Sequence, residues 1–312
     1  MRDIFVYSDT ILKNYLDDID FYSYMNSDEI QDYRLKVKLK GYNFKGKHVH
    51  TNYLYWLAKN RGHNINIVDQ LDTLPARSVV FFHHDNYISL KYREDLIYVQ
   101  ILSDKPLIPF ADYYVTNSKA FYNLKKFNNI LFLPEPLPAK NLLFTPSKTI
   151  KSPVNFRFLG IRNNFPAFLS HDVCDELQKD GIIIKKDFSK NFLEPEDDVF
   201  FFIRNCLNPM STCKHSNRIF LSYITEIPFI GSISEEDKEY IDDIDAFLPL
   251  TNHGNCSNYP FRKEDLIKAF YLIKDESVFS SKKNKLANVN KTFYTNYFFD
   301  ELDKLINYFQ KL

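Results

Sequence analysis

The stretch Lys214-His-Ser-Asn-Arg-Ile-Phe-Leu-Ser-Tyr-Ile-Thr-Glu-Ile-Pro-Phe-Ile-Gly231 sets basic and amide side chains (Lys214, Ser216, Asn217, Arg218) directly ahead of an apolar helical segment, and a Pro-Phe-Ile-Gly strand follows at once. Free N–H groups and the dipole at a helix N-terminus favour an anion, and flanking cations add to that preference. A phosphate or pyrophosphate is the guest these groups suit. A helix, a short hop and a buried strand ending at Gly231 make a helix–loop–strand unit of the kind that builds a parallel sheet.

The rest of the second half follows the same rhythm. Phe156-Arg-Phe-Leu-Gly160, Ile182-Ile-Ile-Ile-Lys185 and Val199-Phe-Phe-Phe-Ile203 read as strands, with a helix over 165–179 between the first two. A helix over 235–241, a short strand over 246–250 and closing helices over 263–273 and 282–309 complete it. The first half alternates in the same way. Strands are expected at 4–7, 65–68, 78–82, 96–102 and 130–133, and a helix at 50–60 closed by Gly62. Ala111 to Ser118 gives a further strand, then a helix capped by Asn117 or Ser118. Apolar runs without alternation are strands covered on both faces, which argues for parallel sheets. Pro134, Pro136, Pro138, Pro146 and Pro153 punctuate a stretch without periodicity and mark a connector. The expected division is a first domain over 1–140, a linker over 141–153, a second domain over 154–290 and a terminal helix over 291–312.

Bulk composition excludes several classes. The chain has 312 residues, 45% hydrophobic and 26% charged, which suits two globular domains rather than a disordered chain. Its 40 basic residues balance its 40 acidic ones, so no excess charge marks a nucleic-acid partner. No apolar run approaches a membrane span, so at most peripheral membrane contact is expected. The start is too short and too polar for a signal peptide. Cys174, Cys206, Cys213 and Cys256 lack metal-binding or disulfide spacing, which points to a reduced, cytoplasmic setting. With 29 Phe and 21 Tyr against 7 Gly, the aromatic content is read as a compositional bias and not as a stacking code. No GxGxxG, Walker A or Gly-x-Ser-x-Gly motif occurs.

In two-domain α/β proteins ligands bind beyond the carboxyl ends of strands. In the first half that rule selects Phe82-His-His-Asp-Asn86, where His84 and Asp85 offer a general base at neutral pH. The same residues serve equally as loop caps. The loop carrying Gly46 and His48 and the helix start at His50, Thr51 and Asn52 face the same crevice if the strand order holds, and His48 and His50 are second candidates, for a phosphate or an acceptor hydroxyl. In the second half the rule selects Arg162 and Asn163 after one strand and Arg204 and Asn205 after another, each a cation beside an amide. With Lys214, Ser216, Asn217 and Arg218 they put one sign of charge on three loops of a neutral protein.

The segment that opens this subsection resembles the donor-binding stretch of GT-B glycosyltransferases, in which a Lys-x-x-Asn-Arg/Lys helix precedes a Gly-x-Pro-x-Ile strand. Glu226 stands where that family usually has the glycine. Gly62-His63, and Ala111-Asp-Tyr-Tyr-Val-Thr-Asn-Ser118 followed by Leu133-Pro-Glu-Pro-Leu-Pro138, resemble the family's first repeat and the close of its N-terminal domain. The resemblance implies two Rossmann-like parallel-sheet domains facing a cleft, with the C-terminal helix crossing back to the first. It implies transfer of a sugar from a nucleotide-sugar donor to a glycan or lipid-linked acceptor, in surface polysaccharide synthesis, with no metal or other cofactor. Asp85 or His84 would be the base, Lys214 and Arg218 would hold the diphosphate, Asn217 a ribose or sugar hydroxyl, and Glu236 and Tyr240 would lie near the donor's ribose or sugar. The paired glutamates of many retaining members correspond here to Cys213 and Leu221. An inverting displacement is therefore favoured. A nucleotide-sugar epimerase of the same architecture and an inactive binding or scaffold subunit are the alternatives.

Overall fold

Runs such as Val-Val-Phe-Phe and Val-Phe-Phe-Phe carry no polar alternate positions, so a strand made of them has to be covered on both faces. A computed structural model places both at the middle of parallel sheets. It describes residues 2–9, 51–52, 54–102, 107–123, 129–134, 149–150, 152–160, 165–186, 197–203, 217–233, 235–238, 240–250 and 261–312, with the backbone alone at 120, 217, 218, 224, 235, 236 and 292. In chain order the elements are β1 (Ile4–Tyr7), α1 (Leu54–Asn60), β2 (Ile65–Val68), β3 (Val79–His83), β4 (Ile97–Leu102), β5 (Tyr113–Thr116), α2 (Lys119–Asn123) and β6 (Ile130–Phe132). Then come β7 (Val154–Phe158), α3 (His171–Lys179), β8 (Ile182–Lys185), β9 (Val199–Phe202), α4 (Asn217–Thr225), β10 (Phe229–Gly231), α5 (Glu235–Lys238), β11 (Leu248–Pro249), α6 (Lys263–Lys274), α7 (Glu276–Ala287) and α8 (Lys291–Lys311).

The chain forms two units, one of residues 1–141 with 292–312 and one of residues 142–291. Each is an α/β unit built on a wholly parallel sheet, as the alternating pattern requires. The C-terminal helix α8 is counted with the N-terminal unit.

In the first unit the strand order is β2-β1-β3-β4-β5-β6. One face carries Val80, Phe82, Tyr98 and Tyr114 beneath the loop residues Leu71, Leu74, Leu90 and Ile108. On the other face Phe309 of α8 meets Phe81 edge-on at 5.2 Å and Tyr113 at 5.2 Å. Helix α1 ends in a Schellman turn: the N–H of Gly62 donates to the Lys59 carbonyl at 2.9 Å and that of His63 to the Ala58 carbonyl at 3.1 Å. The turn needs a left-handed residue, and Gly62 supplies it at φ 87°. His63 Nε2 then lies 2.8 Å from Asp303 Oδ1, while Arg61 donates to Asp303 Oδ2 at 2.6 Å, fastening this turn to α8.

In the second unit the order is β11-β10-β9-β7-β8. Phe156, Phe158 and Phe201 face α6, where Phe270 packs 4.8 Å from Phe156 and 5.2 Å from Phe201. The opposite face holds Phe200, Phe202, Phe229 and Phe247, with Phe229 and Phe247 4.5 Å apart. The same face buries charge. Arg157 of β7 grips Asp197 with Nε at 2.8 Å and Nη2 at 3.2 Å, and Lys185 of β8 reaches the same carboxylate at 3.1 Å.

Several element boundaries differ from the sequence expectation. The helix expected over 165–179 starts at His171, because Pro166 lies in a preceding turn and the Ser170 hydroxyl caps Val173 N. The single closing helix expected over 282–309 is two helices, with α7 ending at Ala287 and Asn288 as its cap. Asn288, Val289 and Asn290 are weak helix formers, and a break falls there at little cost. The strand expected over 246–250 shrinks to Leu248–Pro249 because residues 244–246 turn tightly under the Asp243 side chain. The helix expected over 235–241 ends at Lys238.

Candidate functional site

In an open parallel sheet, strands that leave a central strand in opposite directions open a crevice at their carboxyl ends. In the first unit β2 lies on one side of β1 and β3 on the other, so the crevice falls between β1 and β3. The residues just beyond those ends are polar and buried. Ser8 follows β1, with its N–H on the Val68 carbonyl at 2.9 Å. Asn52, ahead of α1, donates from Nδ2 to Ser8 Oγ at 3.1 Å, and Thr51 Oγ1 stands 3.5 Å from the same oxygen. Asn86 donates from Nδ2 to the Tyr7 carbonyl at 3.3 Å, while its Oδ1 is buried with no hydrogen-bond partner. Such an acceptor is costly unless water or a ligand meets it.

His83, His84 and Asp85 stand at the same mouth with different fates. His83 is the last residue of β3, is buried, and accepts the Asp85 N–H on Nδ1 at 3.2 Å. An accepting Nδ1 assigns the proton to Nε2 and makes His83 the cap of the 84–89 turn. His84 is half-buried, with Nδ1 3.6 Å from Asp85 Oδ1, and Asp85 is exposed. These two are the members of the trio that reach solvent, so they are available to a substrate proton. Gly46, His48 and His50 lie outside the described residues.

In the second unit β8 and β9 flank β7 on opposite sides, so the crevice falls at the ends of β7 and β9. The ladder continues one step past β7, with Leu159 N on the Phe201 carbonyl at 2.9 Å. The chain leaves β7 at Gly160 and β9 at Ile203, and it re-enters the described structure at Asn217 as the first residue of α4. Arg162, Asn163, Arg204, Asn205, Lys214 and Ser216 lie outside the described residues, as do the side chains of Asn217, Arg218 and Glu236. Asn217 and Arg218 open α4, and Glu236 lies in α5. Tyr240 is buried, packed edge-on to Phe220 at 5.2 Å, and its carbonyl accepts from the Tyr223 hydroxyl at 2.6 Å. That ring is a packing residue of its face.

The route from α4 into β10 shows why the segment has its sequence. Ile219, Phe220 and Tyr223 bury one side of α4, and the Ser222 hydroxyl donates to the Ile227 carbonyl. Glu226 turns the chain at φ 55°, a left-handed conformation that glycine adopts freely and other residues adopt at a cost. Its carboxylate pairs with Lys291 at 2.7 Å. Gly231 ends β10 where an added Cβ would stand 2.7 Å from the Phe202 carbonyl. The Arg157–Asp197–Lys185 cluster escaped the sequence reading. Its only signal was a cation inside an apolar strand, which demands a buried partner.

Among the described residues no group of three or more His, Cys, Asp or Glu side chains is placed to hold a metal ion. No helix among them is long and apolar enough to cross a membrane.

No family model matches the chain, and no curated protein sequence matches it. Solved structures with a similar course include HepE of Anabaena in complex with UDP and glucose, 10% identical over the whole of both chains with a TM-score of 0.47. WaaG, a glycosyltransferase involved in lipopolysaccharide biosynthesis, is 9% identical over 86% of this chain and 97% of its own, with a TM-score of 0.45. TarM, known from S. aureus, is 9% identical over 74% of this chain, with a TM-score of 0.47. The chain spans about half the length of TarM, 55%.

Proposed function

We propose that the chain is a glycosyltransferase that moves a sugar from a nucleotide-sugar donor to a glycan or lipid-linked acceptor. The observation that carries this reading is the pair of sheet crevices. One opens beside His84 and Asp85, and the chain that leaves the strands bordering the other runs into a basic, amide-rich segment that becomes the first turn of α4. The first supplies proton chemistry and the second charge complementary to a diphosphate.

In the proposed reaction an acceptor hydroxyl loses its proton to Asp85 or His84 as its oxygen attacks the anomeric carbon. The bond from that carbon to the diphosphate oxygen breaks on the opposite face, and the electron pair leaves with the nucleoside diphosphate. Configuration inverts, which agrees with Cys213 and Leu221 standing where retaining enzymes carry glutamates. Lys214, Arg218 and the free N–H groups of α4 offset the charge on the departing group, and Arg162 and Arg204 with their neighbouring amides add to that field. Asn217 and Glu236 serve the ribose or sugar hydroxyls. With side-chain cations in that role the scheme uses no metal. Synthesis of a surface polysaccharide on the cytoplasmic side is the setting that fits such a donor and acceptor.

Calorimetric titration with UDP, GDP and ADP, and assay of the matching nucleotide sugars, tests the reading. Wild type is expected to bind one of the diphosphates, and Lys214→Ala with Arg218→Ala to abolish that binding. His84→Ala or Asp85→Asn is expected to keep binding and lower turnover by about 10²–10⁴. Absence of diphosphate binding in the folded wild type overturns the proposal. Binding without transfer or hydrolysis of any donor favours a scaffold subunit instead.

A further inference from the structure

A strip of aromatic rings runs away from the His84 end of the first unit's crevice and opens to solvent. The His84 and Tyr87 ring centroids are 6.0 Å apart, Tyr87 and Phe110 6.2 Å, and Phe110 and Tyr92 5.2 Å. Tyr92 is 53% exposed and Tyr87 41% exposed, while Phe110 is half-buried between them. Large aromatics shown to water side by side are unusual in a protein with room to bury them, and such patches mark interaction surfaces.

The rings are held in place from below. Phe110 stacks on buried Phe82 at 5.7 Å with 16° between planes, and it meets buried Tyr98 edge-on at 5.3 Å. Tyr92 stacks on Tyr98 at 5.3 Å, and the Tyr98 hydroxyl accepts the Arg93 N–H at 2.9 Å. A platform fixed in this way loses little side-chain entropy when a ligand covers it.

Charge around the strip selects among partners. Lys91 and Arg93 face Asp85, Glu94 and Asp95 over 84–95, which leaves the segment acidic by one, and Arg93 is tied to Asp95 at 2.6 Å. An anionic lipid surface asks for a basic cluster, and residues 84–95 do not form one. A neutral saccharide suits it: the C–H faces of its rings stack on aromatic faces, and Tyr87 and Tyr92, tilted 43° and 54° to Phe110, offer more than one such face. We propose that Tyr87, Phe110 and Tyr92 form a stacking platform for a saccharide acceptor whose reacting end points toward His84. This rests on the transferase reading for the direction of the sugar, and it narrows the acceptor class to a glycan with at least two pyranose rings at its growing end.

Saturation-transfer NMR with cellopentaose, chitopentaose and maltopentaose tests it on wild type, on Tyr87→Ala/Tyr92→Ala and on Tyr92→Phe. At least one pentasaccharide is expected to bind wild type and Tyr92→Phe alike, and to bind the double variant about tenfold more weakly or worse. Both tyrosines are exposed, so the variants are expected to keep the wild-type circular dichroism. Equal binding by the double variant, or no binding of any pentasaccharide to wild type, overturns the proposal. So does sedimentation of wild type, but not the double variant, with phosphatidylglycerol vesicles while no saccharide binds. Diphosphate titration of the same variants separates the two readings. Intact diphosphate binding with unaltered saccharide binding sinks the platform alone. Tyrosine-dependent saccharide binding without any diphosphate binding sinks the transferase and leaves a glycan-binding surface.

Discussion

Replacing Asp197 by Ala tests a buried ion cluster of the second unit. The Arg157 guanidinium is buried in the sheet face and makes two hydrogen bonds to the Asp197 carboxylate, which Lys185 also reaches. Deleting the carboxylate leaves a guanidinium desolvated beside a second cation, with phenylalanine packed along the same face. Breaking such a buried pair from one side costs about 3–5 kcal/mol, more than the pair contributes relative to an apolar replacement. At about 2–4 °C per kcal/mol for a unit of this size, the melting midpoint falls by about 6–20 °C. Far-ultraviolet circular dichroism during urea or thermal unfolding reads the loss. The fluorescence of Trp56, the one tryptophan, belongs to the first unit and serves as an internal reference. A double variant, Arg157→Met/Asp197→Leu, is expected to recover most of the loss, because it removes both charges together. A fall of less than about 1 kcal/mol for Asp197→Ala, or a double variant worse than the single, refutes the account of a buried, mutually dependent pair.

Four smaller changes test other parts of the structure. Gly231→Ala forces a Cβ against the Phe202 carbonyl and is expected to cost about 1–3 kcal/mol in urea unfolding; an unchanged midpoint shows that the two strands separate freely there. Glu226→Gly is expected to match wild type within about 1 kcal/mol, since relief of the left-handed backbone offsets loss of the Lys291 pair, whereas Glu226→Val falls clearly below both in the same melt. Burial alone would raise the Asp303 carboxyl, but hydrogen bonds from Arg61 and His63 outweigh it and hold the group below its ordinary value. A depressed carboxylate stabilises the fold above its unfolded pKa and loses that contribution as pH falls through the folded one. The stability gap between wild type and Asp303→Asn is therefore expected to be full near neutrality and to close below about pH 4, and a gap unchanged down to pH 2 contradicts it. Ser118→Ala removes the hydroxyl that accepts the Phe121 N–H at 3.1 Å and is expected to cost about 1 kcal/mol, read as faster hydrogen exchange over 119–123.

Much of this architecture is written locally. Val79 to Phe82 and Val199 to Phe202 announce strands covered on both faces, Gly62 announces the left-handed end of α1, and Ser118 announces the start of α2. Elements misplaced by a few residues, such as α3 and the split between α7 and α8, turned on caps and weak helix formers whose effect is a fraction of a kcal/mol per residue. In the candidate site, His84 and Asp85 were legible because they follow an apolar strand directly. The helix start at Thr51 and Asn52 reads toward the same crevice as Asn86 once the strand order is granted, but Ser8 does not, because only contacts between segments far apart in the chain bring it to them.

The chain's own order of residues therefore determined two rounds of alternating strand and helix, a parallel arrangement, and a basic helix start before a strand that needs glycine at its end. Those features depend on periodicity, burial of apolar runs and backbone conformation within a dozen residues. Which strands lie side by side was decided only in three dimensions, and with it the positions of both crevices, the burial of Arg157 against Asp197, and the change of an apparent excess of tyrosine and phenylalanine into an ordered strip beside His84. Each of these depends on contacts between residues distant in sequence, whose energies are settled by crossover connections and packing and not by any local preference.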